Sequence, residues 1–242
     1  MFQAGLVLEG GGMKGIYTAG VLDFFLDKDI EFSSCYGVSA GACCMCSYLS
    51  KQRKRAYRTN VEYLGQKAYC SVESLLFTGN LFGADMCYGL IPDYLDPYDY
   101  EAFNKYPGKA YAVVTNIRTG EAEYIRLEDM HRDIAAIQAS SSMPLVSRNV
   151  RIGKGLYLDG GIADSIPVRR SIQDGNRKNV IVMTKEEGYI RQPSGAAELA
   201  MIKARYLRYP KVYERMRERH IVYNGTVQYM EEMKEQGKAF II

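Results

Sequence analysis

Short apolar runs alternate with amphipathic stretches along most of this chain, and the alternation predicts an ordered series of strands and helices. Residues 6–8 (Leu-Val-Leu) read as a buried strand of the parallel type. An amphipathic helix follows over 16–28, with Val21, Leu22, Phe24 and Phe25 on its apolar side. Residues 30–36 form a second strand and residues 40–49, small and apolar, a buried helix. The next stretch, 51–64, is basic and helical. Residues 110–115 and 122–127 predict a strand pair across the Thr119-Gly120 turn. A helix over 133–140, strands at 150–152 and 156–158, a helix from 166 to 172 with Pro167 in its first turn, and a buried strand at 180–183 come next. The remainder reads as three helices, 196–207, 211–218 and 221–236, before an apolar, strand-like end at 239–242 that suggests further residues beyond it.

One long segment breaks this regularity. Between residues 65 and 107 glycines, prolines and aromatics mix without a clear period, which predicts a lid or a binding wall. Its tyrosine-rich, apolar content suits an acyl chain. Length permits one large domain or two small ones, and a chain of this size buries roughly 70–75% of its unfolded surface. The net charge of +3 is too mild to argue for nucleic acid as a partner. No run approaches the length and apolarity of a membrane span. The first residues lack the basic region and long apolar core of a signal peptide, which favours a cytoplasmic protein. All six cysteines (Cys35, Cys43, Cys44, Cys46, Cys70 and Cys87) fall in the first 90 residues and read as reduced, buried thiols. Cys43 and Cys46 have redox-motif spacing, but packing of a tight central helix explains them better, and no metal is expected.

Three short motifs carry candidate chemistry. Gly37-Val38-Ser39-Ala40-Gly41, between a strand and a helix, has the form of a nucleophile elbow: a serine on a sharp turn, with Gly37 and Gly41 removing side chains that would clash. Upstream, Gly10, Gly12 and Gly15 satisfy a dinucleotide-binding spacing, so a nucleotide-binding oxidoreductase is one reading. That reading wants an acid at the end of the second strand; Asp29 and Glu31 lie before it. The loop fits better as a row of amide donors (Gly10, Gly11 and Gly12) for an oxyanion next to Ser39. A serine nucleophile needs a base. His131 and His220 sit among charged neighbours and read as surface residues. Asp159, ending a strand and followed by Gly160 and Gly161, is the better candidate, although Asp-Gly is also a hairpin signal.

The tail adds a further reading. Between Lys203 and Arg219 seven lysines or arginines stand against two glutamates, with Tyr206, Tyr209 and Tyr213 interleaved. Peripheral contact with an anionic membrane follows, at the inner membrane surface of a cytoplasmic protein, and a non-catalytic membrane- or partner-binding module is the corresponding alternative to an enzyme.

Taken in order, Gly10 to Gly15 with Lys14, Gly37 to Gly41, and Asp159-Gly160-Gly161 resemble the patatin-like phospholipase family in its bacterial form. Ala139-Ser140-Ser141-Ser142-Met143-Pro144 and Ser165-Ile166-Pro167 add to the likeness, which covers about residues 4–185. The resemblance implies a three-layer α/β/α fold with a mainly parallel central sheet. It implies one catalytic domain over 1–242, with 65–107 as the lid or wall and 196–236 as a helical C-terminal part. It also implies a serine lipid acyl hydrolase with a lipid or acyl-ester substrate and no cofactor: Ser39 as nucleophile, Asp159 as base, Gly10 to Gly12 as oxyanion hole, and Lys14, Gly15, Gly37, Gly41, Gly160 and Gly161 as motif support.

Overall fold

A computed structural model describes residues 1–242. The first strand, β1 (Phe2–Leu8), is exposed only at its start and buried from Ala4 onward, so both of its faces are covered. Helix α1 (Gly15–Asp27) returns the chain to β2 (Phe32–Val38), parallel to β1, and α2 (Ala40–Leu49) leaves at once from its end. Eight of the ten residues of α2 are buried, as expected for a helix that is small and apolar all round. Helix α3 (Arg55–Val61) is shorter than the basic stretch predicts.

Residues 65–107 are more regular than their pattern suggests. They hold α4 (Val72–Thr78), a π-helical segment over Met86–Leu95 and α5 (Tyr100–Asn104). The short helices begin on capping side chains: Ser71 accepts from the Ser74 amide at 2.9 Å and Asp99 from the Ala102 amide at 2.8 Å. Pro92 inside the π-helical segment removes an amide donor, which hides the helix from a search for a 3.6-residue period.

The chain then re-enters the sheet through β3 (Lys109–Asn116) and β4 (Ala122–Leu127), the antiparallel pair expected. Helix α6 (Met130–Ser140) leads to a small hairpin of β5 (Val150–Ile152) and β6 (Gly155–Asp159). Helix α7 (Val168–Gln173), β7 (Asn179–Val182), α8 (Ala196–Arg205), α9 (Pro210–Glu235) and β8 (Ala239–Ile241) complete the fold. The eight-stranded sheet runs β5-β6-β3-β2-β1-β7-β8, with β4 also bonded to β3. Its β3-β2-β1-β7-β8 centre is parallel, and the antiparallel pairings gather on β3, β4, β5 and β6. Helices cover both faces: α1, α2 and α6 pack over Leu6, Leu8, Cys35 and Ala112, while α9 packs over Val7, Tyr36 and Ile181. The fold is the three-layer α/β/α arrangement expected.

One expectation is corrected. The two helices predicted at 211–218 and 221–236 are a single 26-residue helix, α9. Its buried stripe runs through Val212, Met216, Tyr223, Thr226, Met230 and Met233. Arg219 occupies the stripe position between Met216 and Tyr223, so a charged residue at an inward site reads as a break.

Candidate active site

Ser39 sits at the junction of β2 and α2 with φ 53° and ψ −124°, a backbone conformation that side chains rarely adopt. Close packing forces the turn. A Cβ on Gly37 would lie 2.5 Å from the Ala42 Cα, and one on Gly41 would lie 2.6 Å from the Leu8 carbonyl oxygen. Glycine at both positions lets α2 start directly beneath β2 and against β1. A buried serine on α6 holds the strained residue: Ser140 Oγ accepts the Ser39 amide at 2.9 Å and donates to the Val113 carbonyl at 2.6 Å.

The second half of the site follows from strand register. Strand β3 carries β2 alongside Lys109 to Val113, β4 alongside Ala110 to Thr115, and β6 alongside Val114 to Asn116. A strand has only two edges, and β4 spans the register of both other partners. Strands β2 and β6 therefore lie end to end along the opposite edge. Val38 pairs with Val113 and Asp159 with the next residue, Val114, so Ser39 and Asp159 meet where the two strands abut. Gly160 permits the approach, since a Cβ there would come within 2.2 Å of the Val113 carbonyl oxygen.

The Asp159 carboxyl is 2% exposed, and burial holds its pKa above the ordinary carboxylate value. The Ser39 side chain, the charge of Arg219, the Gly161 amide and Arg191 act in the opposite direction, in that order. The Gly161 amide donates to Asp159 Oδ1 at 2.7 Å, and Arg219 Nε donates to the Gly161 carbonyl at 2.5 Å. The Asp159 carboxyl thus sits in a dry setting with two guanidinium groups nearby, a combination that perturbs its titration in opposite directions.

The glycine loop closes the site from a third side. The Glu9 amide is used by Val182 and the Lys14 amide by Gly11, and the intervening amides of Gly10, Gly11 and Gly12 have no acceptor within the chain. Gly10 packs on Ser39, with its notional Cβ 3.1 Å from Ser39 Cβ, and Gly15 seats the following helix against Ala40. Lys14 is exposed at the end of the loop's single 3₁₀ turn. Behind the loop, Glu9 is fully buried and accepts from the Thr184 amide at 2.5 Å, the Thr184 hydroxyl at 2.9 Å and the Tyr223 hydroxyl at 2.9 Å. Thr184 Oγ1 also lies 3.0 Å from the Gly10 carbonyl. Helix α9 therefore clamps the donor loop through a buried carboxylate. Tyr223→Phe leaves Glu9 one donor short and is expected to cost about 1–3 kcal/mol, read as a lower urea midpoint at unchanged m-value.

A cavity of about 180 Å³ opens beside Ser39 and runs between α2, α3, α6 and the 65–107 segment. Met13, Cys43, Cys46, Tyr69, Tyr88, Ile91 and Ile137 make most of its wall apolar. Residues of the irregular segment thus line this cavity. All six cysteines are free, but only Cys35, Cys44 and Cys46 are buried, while Cys43, Cys70 and Cys87 are half-buried; desolvation raises the thiol pKa of Cys43 and Cys46, with Cys87 pushed up to about 12. Raised thiols oppose the redox reading, because the thiolate is the reactive form. His131 stacks on Tyr100 with ring centroids 3.6 Å apart, and His220 lies on α9 with an enclosed, unpartnered Nδ1. Glu31, one of the acids weighed for a ribose, pairs with Lys51.

Sequence reasoning singled out Ser39, Asp159 and the glycines, and the fold brings all of them together. It passed over four contributors. Ala40, first in α2 and at the helix N-terminus, lines the same cavity as Gly12 and Ser39. Ser140 was legible as a motif but not as the anchor of Ser39. Arg191 and Arg219 lie beyond every motif, and the one signal for Arg219 is a charge on an apolar helical stripe.

A serine on a strained strand-to-helix turn, a buried aspartate and a row of free glycine amides thus share one site beside an apolar cavity. The match to the patatin-like phospholipase family model runs over residues 6–171, and the chain belongs to that family of lipid acyl hydrolases. It is 30% identical over 189 residues to the uncharacterized protein YjjU of Escherichia coli (strain K12), a match covering 76% of this chain and 53% of that protein. Among solved structures it is similar to VipD from Legionella pneumophila, at 17% identity and a TM-score of 0.45, over 84% of this chain and 53% of that one. The chain spans about half the length of these relatives.

Proposed function

We propose that this protein hydrolyses lipid acyl esters through a Ser39–Asp159 dyad and an acyl-enzyme intermediate. Ser39 Oγ attacks the ester carbonyl while Asp159 takes its proton. The tetrahedral oxyanion is met by the amides of Gly10, Gly11, Gly12 and Ala40, which need no reorientation as charge develops. Asp159 returns the proton to the departing alcohol. Water, deprotonated by Asp159, then attacks the acyl-enzyme, and Asp159 passes that proton to the departing Ser39 Oγ as the carboxylic acid is released. The observation that carries this reading is the shared edge of β3, on which the ends of β2 and β6 abut at Val113 and Val114. The test is reaction with a fluorophosphonate probe together with hydrolysis of p-nitrophenyl esters. Labelling that maps to Ser39 supports the dyad; turnover without labelling of Ser39 refutes it.

The same reading includes a lipid surface as partner. In the basic tail Tyr206 is buried, Arg215 Nε donates to the Gly120 carbonyl, and Arg219 is turned toward Gly161. Much of that run therefore serves the fold. A stronger membrane face lies on α4, where Leu76 is 78% and Phe77 80% exposed. Burying one such side chain in the acyl boundary is worth about 1.5–3 kcal/mol. Replacing both with serine is expected to weaken binding to phospholipid vesicles at least about tenfold, while hydrolysis of a soluble short-chain ester stays the same. Cosedimentation and a p-nitrophenyl butyrate assay on the same samples separate the two effects. No helix is long and apolar enough to cross a membrane.

A further inference from the structure

The loop that follows Asp159 is anchored from outside the region that matches the family. That match ends at residue 171, whereas Arg219 stands within α9. Its Nε donates to the Gly161 carbonyl at 2.5 Å, and the Gly161 amide donates to Asp159 Oδ1 at 2.7 Å. A Cβ on Gly161 would lie 3.1 Å from Asp159 Oδ1 and 3.2 Å from Arg219 Nη2, so both groups crowd the same side of that residue. The guanidinium therefore reaches the carboxyl by way of Gly161, and neither of these hydrogen bonds uses Oδ2. Hydrogen bonds from a charged donor are roughly twice as strong as neutral ones. Ser165 Oγ also donates to the Gly161 carbonyl, at 2.9 Å, so that oxygen keeps a partner when Arg219 is replaced.

Arg219 is a costly residue for its place. It is half-buried on the stripe of α9 between Met216 and Tyr223, where an apolar side chain would pack without losing hydration. Desolvation lowers its pKa and Arg191 acts in the same direction, against Asp159, Glu198 and Tyr189. The charge has a use at Asp159. Burial pushes that carboxyl toward its neutral form, which cannot accept a proton. A direct ion pair would oppose burial but would hold the carboxylate as a structural anion. A cation anchored on Gly161 opposes burial and leaves Oδ2 open. Ser39 faces Asp159 from the end of β2, Cys43 from α2, Arg191 from the loop before α8 and Arg219 from α9. Strand β3 and the chain after α6 give its backbone the uncharged Thr115 hydroxyl and Ser142 carbonyl. The Cys43 thiol, raised by burial, stays neutral in the acid range, and of the two guanidinium groups Arg219 acts more strongly.

We propose that Arg219 is a positioning residue for Asp159: it fixes Gly161 and, through the Gly161 amide, aims the carboxyl at Ser39 while its charge stays beside that carboxyl. Tyr223, one turn further along α9, holds Glu9 behind the glycine loop, so one helix fixes both halves of the site. The inference rests on the dyad reading for the role of the carboxyl and on the Gly161 hydrogen bonds for the anchor.

Two measurements test it. The first is the pH dependence of kcat and KM for p-nitrophenyl butyrate in the wild-type protein, Arg219→Met and Arg219→Lys. Arg219→Met should lose about ten- to a hundredfold in kcat, with KM changed by less than about twofold. Its acid limb should move to higher pH, because Arg219 lowers the Asp159 pKa and the carboxylate is the form that takes the Ser39 proton. Arg219→Lys keeps the charge and loses the guanidinium geometry. Its acid limb should stay near that of the wild type while its kcat remains several-fold lower. Wild-type kcat in either variant, an unmoved limb in Arg219→Met, or a loss confined to KM overturns the inference. Where Arg219→Met does not fold, kcat of Arg219→Lys decides. The second measurement is a carbon NMR titration of the Asp159 carboxyl in Ser39→Ala, with and without Arg219→Met, which needs no turnover. The carboxyl should titrate at higher pH without Arg219, and an unchanged titration overturns the inference. A shifted titration in a protein that neither hydrolyses esters nor reacts with the fluorophosphonate probe refutes the dyad and supports the hold of Arg219 on the carboxyl.

Discussion

Ser39→Ala is expected to lower ester turnover by about a thousandfold or more, with the folded structure intact. The change does little for stability, because Ser39 is anchored through its amide to Ser140 and its hydroxyl contacts only the Asp159 carboxyl. Alanine keeps the same Cβ in the same φ 53° backbone, so the strain stays and the melting temperature should shift by less than a degree or two. Ser39→Gly makes a sharper comparison. Glycine tolerates this backbone without steric cost, and strain of this kind is worth about 1–3 kcal/mol. The looser unfolded chain of the glycine variant returns roughly 0.4–1 kcal/mol of that. A net gain of about 1 kcal/mol is expected for Ser39→Gly over Ser39→Ala, with both inactive. Thermal unfolding of the two variants side by side measures it. An equal or lower stability for the glycine variant would mean that the elbow is not strained.

That pair of variants separates two roles that the sequence presents as one motif. Gly37 and Gly41 exist for packing, since each would place a Cβ within 2.6 Å of backbone atoms in a neighbouring element. Ser39, by contrast, occupies the strained position itself, at some expense in backbone energy that the proposed chemistry would explain. A local pattern reveals both because the elbow is built from residues adjacent in the chain. The same locality explains why α2, β3 and β4 were legible almost to the residue. Strands with continuous apolar runs and a helix of small residues carry their own periods.

The parts that escaped are those whose meaning is set by distant partners. Ser140 lies 101 positions from the amide it accepts, and Tyr223 lies 214 positions from Glu9. Neither has a local signature beyond a serine at a helix end and a tyrosine on a helix. Arg219 misled the helix assignment for the same reason that it matters: its neighbours on the stripe pack in the core, while it reaches Gly161. The 65–107 segment was legible as apolar and tyrosine-rich but opaque as structure, because a π-helical stretch containing Pro92 has no 3.6-residue repeat to read. The abutment of β2 and β6 was the least accessible of all. It depends on β4 occupying one full edge of β3, which is a fact of tertiary register.

Asp159→Asn draws its expected result from that abutment. Turnover should fall by about a thousandfold or more, since the amide cannot take the Ser39 proton. Stability should move the other way. In the wild-type fold the carboxyl is buried and its pKa lies above the value of 3.8 it has in an unfolded chain, burial outweighing Ser39, Arg219, the Gly161 amide and Arg191. The folded protein therefore holds this proton more tightly than the unfolded chain does. Its contribution to stability is complete below pH 3.8 and is lost as the pH rises through the folded pKa. Asparagine keeps an acceptor for the Gly161 amide and carries no charge to desolvate. The variant should thus be more stable than wild type at neutral pH, and the difference should close as the pH falls toward 3.8. Urea denaturation of both proteins across that range reads the difference directly. A variant less stable at pH 7 would mean that Arg219 and Arg191 hold the carboxylate more strongly than burial opposes it, and that Asp159 is a structural anion, not a base.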